Sequence, residues 1–203
     1  MCFLLVLNMV FEVSVLVLGV QGSGKTLLLK RIQGIEGTDQ ERFQRLCAET
    51  VSTAGVELVK KPLGKKGTLS FREIGGCMLS IWPRFYGECG LVAFVVDASD
   101  PSAIPDAAVC LHKVMRHEEI QGKPLAVVLN KMDCASALRR AELERLLMIP
   151  PGARQTPKVA EVSAWTGDGV LELLDWAQGH AMAQTEQAPA AACRSCFRWR
   201  GGR

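Results

Sequence analysis

The segment Gly19-Val20-Gln21-Gly22-Ser23-Gly24-Lys25-Thr26 constrains this chain more than any other. It reads G-x-x-x-x-G-K-[ST], a phosphate-binding loop. The run before it, Val13-Ser14-Val15-Leu16-Val17-Leu18, is rich in β-branched residues and predicts a buried strand. The run after it, Thr26-Leu27-Leu28-Leu29-Lys30-Arg31-Ile32, predicts a helix. A strand that feeds a helix through a glycine loop is the context that gives the motif its meaning. The three glycines let the backbone turn tightly and aim several N–H groups inward. The helix N-terminus adds its dipole to that anion nest. Lys25 is then placed to reach the outer phosphates of a nucleotide, and the Thr26 hydroxyl to hold Mg²⁺.

The base is read further along. Leu125-Ala126-Val127-Val128-Leu129 is an apolar strand that ends in Asn130-Lys131-Met132-Asp133, an N-K-x-D sequence. A carboxylate there can accept from N1–H and the 2-amino group of guanine, and adenine offers neither donor. A site built on such pairing rejects the analogue strongly, because a buried carboxylate left unpaired is costly. Asp133 is therefore the candidate guanine reader. Asn130 braces the loop, and the Lys131 stem lies against base and sugar. ATP-directed chemistry conflicts with this segment. A third segment, Val162-Ser163-Ala164-Trp165-Thr166-Gly167-Asp168-Gly169, precedes an amphipathic last helix. Its small residues Ser163 and Ala164 let a backbone N–H, that of Ala164, approach the guanine O6.

The order of these motifs resembles the Ras-type small GTPases, and within them the ADP-ribosylation-factor and Arf-like branch. Val95-Val96-Asp97-Ala98-Ser99-Asp100 resembles the branch's V-V-D-[SA]-x-D, and Thr166-Gly167-Asp168-Gly169 before Leu174-Asp175-Trp176 resembles its final helix. The resemblance covers roughly residues 13 to 180. It implies a P-loop, Ras-like G domain that binds GTP and GDP with Mg²⁺ and signals to effector and regulatory proteins.

The same resemblance marks two departures in Arg72-Glu73-Ile74-Gly75-Gly76-Cys77-Met78, where the branch carries W-D-x-G-G-Q. Glu73 stands for the magnesium-side aspartate and, one methylene longer, is expected to act through a water. Cys77 stands for the glutamine that orients the attacking water. A thiol is a weak donor and acceptor and cannot reach as an amide does, so intrinsic hydrolysis is expected to be slow. Gly76 keeps its backbone N–H for the γ-phosphate, beside Ile74 and Gly75. Ser52-Thr53-Ala54-Gly55 matches the branch's P-T-x-G without the proline. Thr53 is thus the candidate that closes on Mg²⁺ only when the γ-phosphate is present; Thr50 is a second candidate. The catalytic set is Lys25, Gly76 and Cys77, and the metal set is Thr26, Thr53 and Glu73. A nucleotide-locked scaffold without turnover is the alternative function.

Length and composition fit one domain. The chain has 203 residues and is 48% hydrophobic, enough for a sizeable core. Strands are predicted near 13–18, 54–59, 68–73, 91–97, 125–130 and 158–162, with helices near 25–33, 105–117, 136–147 and 169–180. Their alternation predicts an α/β fold: a mostly parallel six-stranded sheet with helices on both faces. Lys60-Lys61-Pro62-Leu63-Gly64-Lys65-Lys66-Gly67 reads as the turn of one antiparallel edge hairpin, a solvated tip with an alternative role against acidic lipid or RNA.

Net charge is +3. Arg194, Arg198, Arg200 and Arg203 lie in the last eleven residues; without them 20 basic residues face 21 acidic ones, so a nucleic-acid surface is not expected. Of the eight cysteines, six lie before residue 135 without paired spacing, which reads as reduced thiols in the cytoplasm; Cys193 and Cys196 form a C-x-x-C in the tail, but zinc needs four ligands and no second pair stands nearby. Residues 1–12 form an apolar extension, a short anchor or a continuation of the first strand. The apolar region from Cys2 to Leu18 has no basic n-region and is interrupted by Asn8, Glu12 and Ser14, so no export signal or transmembrane helix is expected. Residue 2 is Cys, which excludes N-myristoylation; peripheral membrane contact through Cys2, or through Cys193 and Cys196 in the basic tail, stays open. Residues 181–203 read as a disordered tail, and the chain as a monomer.

Overall fold

In a computed structural model, which describes residues 11–34, 55–63, 67–149 and 156–187, the first strand β1 (Phe11–Leu18) lies inside a six-stranded sheet. It can do so because it is apolar on both faces. Alternate side chains of a strand point to opposite sides. Val13, Val15 and Val17 meet Leu28, Leu29 and Ile32 of α1 (Lys25–Gly34) and Leu173, Leu174 and Ala177 of α4 (Val170–Gln187). Leu16 and Leu18 meet Ala107, Leu111 and Val114 of α2 (Ile104–Arg116), together with Trp82. One strand therefore anchors both hydrophobic layers.

The remaining strands are β2 (Val56–Leu63), β3 (Gly67–Ile74), β4 (Leu91–Asp97), β5 (Leu125–Asn130) and β6 (Lys158–Glu161), and a short helix α3 (Arg140–Leu146) precedes β6. Their order is β2-β3-β1-β4-β5-β6. Only the β2–β3 pair is antiparallel. The expected fold class is thus the one observed. Chain order reverses beside β1, and the crevice at the carboxyl ends of strands flanking such a reversal is where α/β sheets bind ligands.

Four local readings differ from the structure. The predicted turn from Lys60 is strand as far as Leu63, with Lys61 opposite Leu69 and Pro62 opposite Thr68. Pro62 is tolerated because β2 is an edge strand. Lys61 is buried in the sheet, and Lys60 pairs with Glu12 at 3.0 Å, so these two are not part of a solvated tip. The helix predicted over 136–147 forms only over Arg140–Leu146, because Leu138 N–H donates to Ala98 O and holds the preceding segment against the end of β4. The last helix runs past 180 to Gln187, since Ala, Met and Gln carry high helix propensity; Ala181 is in the core and Gln184 donates to Gly90 O. A 3₁₀ segment, Leu79–Phe85, went unforeseen because Pro83 masks it in the sequence; its Trp82 packs edge-on against Phe94. Thr50, Thr53, residues 1–10, the hairpin residues 64–66 and the tail from 188 lie outside the described residues. Among the described residues no helix is long and apolar enough to cross a membrane.

Candidate nucleotide site

The phosphate loop leaves β1 at Gly19 and enters α1 at Lys25. Gly19, Gly22 and Gly24 all have positive φ, at 148°, 80° and 86°. Gly19 and Gly24 also have no room: a Cβ would lie 2.3 Å from Val95 O and 2.3 Å from Asn130 Nδ2 respectively. The first turn of α1 carries no acidic residue, so its N–H groups keep their positive end for an anion. Lys25 is 5% exposed. Its ammonium donates to Gly19 O at 3.0 Å and Val20 O at 2.9 Å, which arches the loop over it. Burial lowers the Lys25 pKa, and the Glu73 and Cys77 charges oppose that shift.

Beside the loop, the Thr26 hydroxyl donates to Glu73 Oε1 at 2.8 Å. Glu73 stands at the end of β3, opposite Val17, and is 1% exposed. A hydroxyl and a carboxylate side by side are hard oxygen donors suited to Mg²⁺, so the residues present fit that ion. Gly75 N–H donates to Gly55 O at 3.1 Å, joining the segment that follows Thr53 to the one that leads to Cys77. Trp82 Nε1 donates to Gly75 O at 3.4 Å. Gly76 lies flat on the phosphate loop, where a Cβ would meet Gln21 N at 2.4 Å. Ile74 is buried beneath, and Cys77 is exposed.

Asn130 joins the two halves of the site. Its Nδ2 donates to Ser23 O at 2.9 Å and its Oδ1 accepts from Ala164 N–H at 3.0 Å. The amide assigned to the guanine O6 is therefore held by Asn130 here. Ser163 Oγ donates to Asp133 Oδ1 at 2.6 Å, which fixes that carboxylate. Lys131 takes a φ of 66°, a left-handed turn that carries the chain from β5 to Asp133.

The structure thus gathers Gly19, Val20, Gln21, Gly22, Ser23, Gly24, Lys25 and Thr26 with Glu73, Gly75, Gly76, Asn130, Lys131, Asp133, Ser163 and Ala164 at one end of the sheet. Two residues escaped the sequence reading as members of the site. Asp97 forms an ion pair with Lys131. The signal was there: Asp97 ends an all-apolar strand and stands in register with Asn130. Arg31 reaches the Ser163–Gly169 loop, and nothing in its helical context announces it.

The order of strands, the arched loop and the paired base-side motif define a P-loop GTPase domain of the small, Ras-like kind. The ADP-ribosylation factor family model matches residues 3–180, and the chain belongs to that family. It is similar to ADP-ribosylation factor-like protein 16 of Homo sapiens, 34% identical over 166 residues that cover 80% of this chain and 83% of that protein. ADP-ribosylation factor-like protein 1 of Saccharomyces cerevisiae is 32% identical over 165 residues, covering 81% and 85%. The fold is also that of the Arl6 BBS3 small GTPase from Trypanosoma brucei, solved with the nucleotide analogue GppNp, at a TM-score of 0.71 and 24% identity over 85% of this chain and 99% of that one.

Proposed function

We propose that this chain is a GTP-binding regulatory switch whose own hydrolysis of GTP is slow. The observation that carries the first half is Asn130, whose one amide ties the phosphate loop at Ser23 to the base loop at Ala164. A ligand that spans both loops needs phosphates at one end and a purine at the other, and Asp133 selects guanine. Lys25 neutralises phosphate charge from a desolvated position. Thr26, and Glu73 through a water, would hold Mg²⁺, with Thr53 joining them in the GTP state; the ion would supply neutralisation of phosphate charge. Gly76 offers its N–H to the γ-phosphate from its seat on Gln21.

The second half rests on Cys77. In hydrolysis the water oxygen bonds to the γ-phosphorus, the bond to the bridging oxygen breaks, and GDP leaves with that electron pair while the water proton passes to the released phosphate. An exposed thiol orients that water poorly. Cys77 also favours a second reading, a nucleotide-bound scaffold that never turns over. The four described cysteines, Cys77, Cys89, Cys110 and Cys134, are free thiols, which supports a cytoplasmic protein.

The test is single-turnover hydrolysis of γ-labelled GTP with Mg²⁺, with Lys25→Ala and Asp133→Ala as binding controls. GTP is expected to bind and stay intact for hours. Cys77→Gln is expected to shorten its lifetime about a hundredfold, the low end of the range for a positioned proton-transfer group. Cleavage by the natural chain within minutes refutes slow hydrolysis. A Cys77→Gln variant that stays equally inert favours the scaffold.

A further inference from the structure

We propose that Arg31 is a positioning residue for guanine recognition, holding the base loop from the helix that follows the phosphate loop. The inference rests on the reading of this site as a guanine-nucleotide site. Arg31 lies on α1, six residues beyond Lys25. Its Nε donates to Ala164 O at 3.0 Å, and one terminal nitrogen donates to Trp165 O. The two acceptors are successive carbonyls of the chain, and a planar guanidinium fork matches such a pair where an ammonium does not. Gly167, at φ 97°, turns the loop beneath the guanidinium, with its Cβ position 3.7 Å from Arg31 Cδ.

Ala164 is therefore gripped from both sides. Asn130 Oδ1 takes its N–H and Arg31 takes its C=O. Other bonds of the loop are internal, reach Asp133 or start α4: Thr166 N–H donates to Ser163 Oγ at 2.9 Å, Gly167 N–H to Ser163 O at 2.8 Å, Ser163 Oγ to Asp133, and Val170 and Leu173 N–H to Gly167 O and Gly169 O. Those bonds shape the loop. Arg31 sets how far the Ala164 amide stands from α1, and so from a base whose phosphates are held at the start of the same helix; that N–H, on Asn130 Oδ1 here, is shared with or passes to the guanine O6 when nucleotide binds. Arg31 acts through Ala164 and does not itself touch the nucleotide.

The test is the release rate of three diphosphates from the full chain with Mg²⁺: GDP, IDP, and the 2-aminopurine riboside diphosphate, which lacks the 6-oxygen. Arg31→Ala is expected to speed release of GDP and IDP about tenfold, the scale of a lost charged hydrogen bond, and to leave the 2-aminopurine nucleotide within about twofold. Arg31→Lys, which can serve one carbonyl, is expected to fall between. If Arg31→Ala does not fold by circular dichroism, Arg31→Lys carries the same comparison. Unchanged GDP release, or equal acceleration of all three nucleotides, overturns the proposal. A natural chain that retains no guanine nucleotide overturns the site reading, and the proposal with it.

Discussion

At the scale of single residues the site is built from exclusions as much as from contacts. Gly22 and Gly24 both need left-handed backbone, but only Gly24 is also crowded, by Asn130 Nδ2. Gly22→Ala should cost about 1–2 kcal/mol, the penalty of a left-handed L-residue. Gly24→Ala should cost more, because it must also displace the Asn130 amide from Ser23 O. Denaturant unfolding of the two variants checks the order, and GDP affinity should fall further for Gly24→Ala. Asn130→Ala removes both bonds and leaves Ser23 O and Ala164 N–H inside the protein without their partner; buried groups of that kind cost about 1–3 kcal/mol each. Its melting temperature should fall even without nucleotide.

At the scale of elements, the sequence exposed what periodicity and punctuation can carry. β4 and β5 were legible to their ends, because both are unbroken apolar runs closed by a polar residue. The phosphate loop and N-K-x-D were legible because each position has a local mechanical reason. Arg31 was not, since its partners are more than a hundred residues away and a helical arginine is otherwise an ordinary solvated residue. The end of α4 was missed for a related reason: the composition changes after His180, but Ala181 still faces the core. Ala181→Asp should place an unpaired carboxylate against Val13 and its neighbours. A buried charge of this kind costs several kcal/mol, so the variant should unfold well below the natural chain in a thermal scan, whereas Met182→Asp, at an exposed position next to it, should not.

For the whole molecule, alkaline stability reports on the layer opposite α1 and α4. Tyr86 is 3% exposed, and burial pushes its pKa up to about 12, with Cys110 and Cys89 adding to the shift. Cys89 and Cys110 are themselves raised, chiefly by burial. In each case the unfolded chain loses its proton first. Between the ordinary tyrosine value of 10 and about 12 the unfolded state binds fewer protons, so stability falls as pH rises. Tyr86 alone contributes a loss of about 2–3 kcal/mol across that window, at roughly 1.4 kcal/mol per pH unit. Lys25, lowered by burial, acts with the opposite sign, so the comparison must be a difference. The stability of the natural chain minus that of Tyr86→Phe, followed by urea unfolding, should be flat up to about pH 10 and fall above it.

The bond from Gly75 N–H to Gly55 O is made by main chain at both ends. No change of side chain deletes it; only a proline at position 75 removes the donor. Side chains on either flank, Cys77 among them, can therefore change without cutting the link between the two segments. The joint between the two segments is thus independent of the chemistry that their side chains supply.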